Sequence, residues 1–169
     1  MIYTLIFLIN LLSTKTVETV TSSKSFSIQH ETNKNAKAGV DISGFWEGTI
    51  TRDEGYGKRV NFEIEVIFTQ KGKVITGVSI VRSKDDTRVY SAKMDLAGKL
   101  NGTYLKYVET KILSADQIPD ADWCIKKVEL IYKTPDNVPT LEGIWEGVTG
   151  SNRNCIPGRL TLKRKPPRV

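Results

Sequence analysis

At 169 residues the chain is long enough for one domain with a buried core and too short to expect two. Hydrophobic residues at 39% and charged residues at 26% describe an ordinary soluble globular protein. The net charge of +6 is not a patch on that domain: residues 41–162 hold 17 acidic and 17 basic side chains, and the excess lies in residues 1–40 and in Lys163, Arg164, Lys165 and Arg168. A footprint for phosphate belongs on a folded surface; two basic tails argue against a nucleic-acid partner.

Residues 2–12 (IYTLIFLINLL) form an apolar run broken only by Thr4 and Asn10. The run is too short to span a bilayer and has the length of a signal-peptide core, although no basic residue precedes it. We expect residues 1–22 to be a signal peptide and the protein to be exported, periplasmic or secreted. Residues 23–40 then read as a flexible polar linker, rich in Ser, Thr, Lys and Asn. His30, the only histidine, lies in that linker with nothing around it to make a metal site or a catalytic base.

From Ile42 onward eight segments have β character and none is convincingly helical. They run over about 42–52, 59–70, 73–83, 88–99, 103–112, 124–134, 140–149 and 158–164. Phe62, Ile64, Val66 and Phe68 share one face, with Asn61, Glu63 and Glu65 opposite, as in a half-buried strand. The first and seventh segments nearly repeat each other: Ile42-Ser43-Gly44-Phe45-Trp46-Glu47-Gly48 and Leu141-Glu142-Gly143-Ile144-Trp145-Glu146-Gly147. Glycines that share a face with an indole leave room for the ring to lie flat, so Trp46 and Trp145 are expected to plug the inside of a barrel.

Tight turns are signalled at Gln70-Lys71-Gly72-Lys73, at Leu100-Asn101-Gly102 (a type I′ candidate) and at Thr134-Pro135-Asp136-Asn137. The other connections, 53–58, 84–87, 113–123 and 150–157, are longer and more polar. In an up-and-down meander the two kinds of connection fall at opposite ends. The fold expected is therefore all-β: a single eight-stranded antiparallel meander β-barrel over 41–164, with a basic tail at 165–169. Cys124 and Cys155, the only cysteines, both fall at the long-loop end, where a disulfide can join them. Closing about 30 residues in this way contributes roughly 3–4 kcal/mol in the chain-entropy model.

On Gly44-x-Trp46 in the first strand, the eight-strand meander and the phrase Gln70-Lys71-Gly72-Lys73-Val74-Ile75-Thr76-Gly77, the chain resembles the calycins, the superfamily of lipocalin-like and avidin-like barrels. It is also similar to small exported bacterial barrels of unassigned function that share a tryptophan–glycine strand and a late Trp-Cys. The resemblance covers about residues 42–164, without the T-D-Y motif of lipocalins and without a C-terminal helix. It implies a lipocalin-like fold and, more loosely, a ligand-binding habit.

Candidate sites follow from position. Tyr56, Trp123 and Arg153 lie in loops at the same end, where an aromatic ring beside polar groups suits a sugar or a small amphipathic ligand. Trp123 could instead cover the disulfide. Glu47 and Glu146 invite a paired-carboxylate reading, but adjacent side chains face opposite ways, so inward tryptophans put both on the outside. Asp116, Asp120 and Asp122 lack the glycine and terminal glutamate of an EF-hand loop, so no metal and no other cofactor is expected. Asn101-Gly102-Thr103 fits a glycosylation acceptor as well as a turn. No Ser-His-Asp or Cys-His set is present.

The reading preferred is a non-catalytic, exported binding module for a small or amphipathic ligand at the long-loop end. A cell-envelope barrel with a filled interior and a protein partner is the alternative, favoured if Phe45, Ile144 and Val148 form one exposed patch. A hydrolase using mouth carboxylates is the third. Membrane contact is expected at most through the basic tail.

Overall fold

The computed structural model describes residues 39–56, 58–84, 88–119 and 121–166. The leader, nearly all of the linker with His30, Asp120 and the tail end with Arg168 lie outside these residues. Eight antiparallel strands close into a barrel in plain sequence order: β1 (Gly44–Asp53), β2 (Arg59–Lys71), β3 (Val74–Lys84), β4 (Val89–Asn101), β5 (Tyr104–Ala115), β6 (Cys124–Lys133), β7 (Thr140–Thr149) and β8 (Gly158–Arg164). A 3₁₀ turn at Pro135–Asn137 is the one helical element among the described residues. Closure comes from β1 pairing with both β2 and β8, which removes the two edges an open sheet would expose.

Alternation decides what lies inside. Ile64, Val66 and Phe68 of β2 are all at most 2% exposed, while the residues between them face solvent. The end with the tight turns is sealed. Ile42 is fully buried there, its N–H donates to Gln70 Oε1 (2.9 Å), and Gln70 Nε2 donates to the carbonyl of Val40 (3.0 Å). The Trp46 indole, also fully buried, donates to the Ile42 carbonyl at 2.9 Å and meets Phe68 edge-on at 6.4 Å. Phe68 in turn meets Tyr107 at 5.8 Å, which stacks three aromatic rings up the axis. Arg164 lies over the Trp46 ring at 5.5 Å and donates to the Ser43 carbonyl, so this end of the basic segment is part of the barrel and not a free tail.

Two local expectations are corrected. Of the four glycines beside the tryptophans, Gly48, Gly143 and Gly147 do not serve chiefly to make room for the indole, since a Cβ on each would meet a neighbouring strand's backbone; Gly44 instead stands at φ +115°. A Cβ on Gly48 would lie 1.8 Å from the Thr161 carbonyl oxygen of β8, so the missing side chain lets two backbones approach. The turn after β4 is not type I′: Asn101 pairs with Tyr104, leaving Gly102 and Thr103 as the two central residues. Of these only Gly102 has positive φ (+62°), the pattern of a type II′ turn with glycine first.

The fifth strand also runs three residues further than expected. It follows β4 as far as Ala115 through two register shifts, at Lys93/Met94 and Asp95/Leu96, whereas it pairs with β6 only over Tyr104–Val108. Such bulges bend a strand away from its partner. They open the barrel on the long-loop side.

A candidate ligand site at the barrel mouth

At the long-loop end two seams in the wall are closed by side chains instead of by strand pairing. Beyond Val108 the β5 backbone has parted from β6, and the Glu109 carboxylate takes over, accepting the backbone N–H of Lys126 at 2.9 Å. The second seam arises because β8 is short and starts only at Gly158, opposite Trp145. The β1–β8 ladder ends at Ile50–Leu160; beyond it the Thr51 hydroxyl accepts from Arg159 N–H at 3.2 Å and donates to the Arg159 carbonyl at 3.4 Å, and Trp145 Nε1 donates to the Thr51 carbonyl at 2.9 Å. A Cβ on Gly158 would sit 1.7 Å from that same carbonyl, so only glycine lets the corner close.

The Cys124–Cys155 disulfide joins the start of β6 to the loop between β7 and β8, with Cα atoms 6.3 Å apart. Cys155 N–H also donates to the Gly147 carbonyl at 2.9 Å, fastening the loop to β7. Trp123 packs half-buried beside the disulfide, and its indole donates to the Asp116 carbonyl at 2.7 Å. Asp116, just past the end of β5, extends the β4–β5 pairing and accepts from the backbone N–H (2.8 Å) and hydroxyl (3.1 Å) of Ser91. Those two bonds, the backbone one first, hold its carboxyl below the usual carboxylate range.

Inside this frame lies a cavity of about 280 Å³. Its walls are mostly apolar, with Ile50, Phe62, Val81, Ile118, Trp123 and Trp145 prominent, and its polar side chains include Arg52, Asp122 and Lys126. Trp145 also lines a separate groove of about 430 Å³ on the outer wall, with Arg59, Lys127 and Arg159. Its indole is therefore a partition between inside and outside as well as a core residue, 5% exposed.

Below the cavity the core turns polar. Glu109 (1% exposed) accepts from Ser79 Oγ at 2.6 Å and forms an ion pair with Lys126 Nζ at 2.9 Å. Lys126, 3% exposed, also donates to the Cys124 carbonyl at 2.9 Å and has Met94 Sδ at 4.0 Å. The hydroxyl of Tyr107 is buried with no hydrogen-bond partner among the described residues. Burial, reinforced by the charge of Glu109, pushes its pKa well above the ordinary phenol value.

This polar floor was not among the residues singled out from the sequence, yet strand parity carried a signal. Glu109 shares its face with Leu105 and Tyr107, and Lys126 shares its face with Val128 and Leu130, so two opposite charges stand at inward positions of adjacent strands.

Of the three loop residues expected to bind, Trp123 lines the cavity. Arg153 reaches the rim through its ion pair with Asp122 at 2.6 Å, with its own side chain 71% exposed. Tyr56 is fully exposed at φ +49° in the β1–β2 loop and is not among the residues lining the cavity. Glu47 and Glu146 both lie on the outer wall, Glu47 paired with Lys165 at 3.4 Å and lining one groove, Glu146 lining another. Asp116 and Asp122 are engaged as described, and among the described residues no three His, Cys, Asp or Glu side chains gather as metal ligands do.

The suggested apolar patch is divided. Phe45 lines a groove with Ile67 and Pro139, Ile144 lines the basic groove beside Arg159, and Val148 bridges to Asn154. No protein-family model matches this chain, and no curated protein matches it.

Proposed function

We propose that this protein is an exported, calycin-like binding module that holds a small amphipathic ligand in the mouth of its barrel and performs no chemistry on it. The observation that supports this most is the cavity at the disulfide-bonded end: about 280 Å³, walled by three aromatic rings (Phe62, Trp123 and Trp145), with a few polar groups at one side. Mostly apolar concavities with a small number of placed polar groups are the usual form of small-molecule sites, and barrel mouths are a common place for them. The rest of the interior is filled, from the Trp46 plug to the Glu109–Lys126 pair, so the ligand is confined to the top of the barrel. The disulfide is consistent with an oxidising compartment, which is where the apolar leader would send the chain.

The test is a native mass spectrum of the oxidised protein purified from its own source with its leader encoded. An added mass of a small organic molecule, released on denaturation, is the expected result. A bare monomer that also ignores every small amphiphile offered, together with a stable complex with another protein, would turn the assignment to an interaction barrel.

A further inference from the structure

The charged groups around the mouth are unevenly satisfied, and the imbalance has one sign. Each carboxylate already holds a cation. Glu109 holds Ser79 and two donors of Lys126; Asp122 holds Arg153; Glu54, in the loop after β1, holds Arg52 and Lys58.

The cations still have donors to place. The Lys126 ammonium carries three N–H donors. Two are well placed on Glu109 and the Cys124 carbonyl at 2.9 Å each, and the nearest further acceptor is a thioether, Met94 Sδ, at 4.0 Å. Thioether sulfur is a weak acceptor, so this donor is poorly matched in a nearly dry site. Arg52 stacks over the Phe62 ring at 5.5 Å, and its Nε–H is buried with no acceptor among the described residues. Leaving a buried donor unmade is unfavourable, and both of these residues line the same cavity.

We propose that the mouth cavity takes a small amphiphile with a carboxylate head, accepted on the Arg52 and Lys126 side, with its apolar body against Phe62, Trp123 and Trp145. The inference rests on the binding role proposed above and adds the chemistry of the ligand. A carboxylate supplies the acceptors that both cations lack, in charge-assisted form. The cavity lining carries two cations against one anion, Asp122, which already holds Arg153. An ammonium head would meet two like charges and, in Asp122, a carboxylate already paired with Arg153. An uncharged hydroxyl head would satisfy one donor without the charge. The volume, just under the roughly 300–1,000 Å³ of drug-sized pockets, suits a short chain or a single ring and not a two-tailed lipid.

Three ligands with the same tail discriminate the heads: octanoate, octanol and octylammonium, titrated at neutral pH into the oxidised full chain. Binding is read by calorimetry and by the fluorescence of Trp123 and Trp145. Octanoate should bind roughly 10- to 100-fold more tightly than octanol, the range of one charge-assisted hydrogen bond, and octylammonium should bind weakest. Arg52→Gln should erase most of the octanoate advantage, read as the ratio of octanoate to octanol affinity. Arg52 also pairs with Glu54 and covers Phe62, so the variants are compared by that affinity ratio, which a general loss of stability does not move; Arg52→Lys, which keeps the charge but not the Nε–H, should recover only part of it. Octanol binding as tightly as octanoate, or octylammonium binding tighter, overturns the head-group inference while the binding role stands. Failure of all three ligands to bind at millimolar concentration overturns both.

Discussion

Lys126 shows how one residue can serve three structures at once. Its backbone N–H replaces a missing rung between β5 and β6, its ammonium neutralises Glu109, and its stem forms part of the cavity floor. A buried ion pair of this kind need not add net stability, because desolvation of both charges offsets their attraction; removing one partner is what destabilises. Lys126→Met alone is therefore expected to lower stability by about 3–5 kcal/mol in denaturant unfolding. The double variant Lys126→Met with Glu109→Leu should recover much of that loss, though not all, since Ser79 and the Lys126 N–H lose their acceptor. If the single and double variants unfold at the same denaturant concentration, the pair is not coupled as described. Gly48 gives a sharper residue-scale prediction. Gly48→Ala places a carbon on the Thr161 carbonyl, so the variant should fail to fold or melt far below the parent, whereas Gly150→Ala, with no atom within 4 Å of the added carbon, should melt within a degree or two of it.

Among the elements, those at the mouth depend on side-chain links where the ladder has stopped. The disulfide, which spans a separation of 31 residues, should contribute about 3–4 kcal/mol by the loop-closure estimate. Reduction, followed by unfolding in denaturant, checks it. Asp116 predicts an acid weakness in the same region. Its folded-state pKa is lowered by the bonds from Ser91, so its contribution is present in full above the ordinary carboxylate value near pH 4. That contribution drains away as pH falls through the lower, folded value. Stability measured from pH 6 down to pH 2 should therefore fall less steeply in Asp116→Asn than in the parent. A parallel fall in both proteins would mean that the Ser91 link carries no weight.

The strand order and most strand limits were legible beforehand because alternation and turn residues are local signals. β2 needs only its own Ile64, Val66 and Phe68 to declare its inner face. The overrun of β5 past residue 112 was not legible, since it depends on register shifts against β4 that leave no mark in either strand alone. For the same reason the sequence pointed at the mouth loops, and so at Trp123, but not at the Glu109–Lys126 floor, where charged residues interrupt an otherwise apolar alternation.

For the whole molecule, the interior is layered along the barrel axis. Tryptophan, phenylalanine and tyrosine rings fill the sealed end, a compact polar layer crosses the middle, and the cavity occupies the top. Aromatic burial at the sealed end makes it the thermodynamic anchor. Trp46→Ala should destabilise the barrel by about 3–5 kcal/mol and should strip Arg164 of the ring it covers. Trp123→Ala, at the half-buried top, should leave the fold standing and change ligand affinity instead. Equal losses of stability in the two variants would argue against a rigid base carrying an adaptable mouth.

The segment entering β1 and the segment leaving β8 meet at the sealed end, where Lys165 N–H donates to the Phe45 carbonyl at 2.9 Å and Gln70 clips Val40 and Ile42. The described residues thus enter and leave the barrel at the pole opposite its opening. In a chain trimmed to residues 39–166, a bead, a surface tether, a fluorescent protein or a second barrel grafted onto either end would be held at the base while the opening faces outward. Residues 39 and 166 could also be spliced by a short linker and the ring of strands cut anew at the Tyr56 loop, giving a permuted barrel with the same wall, the same disulfide and fresh termini at the rim.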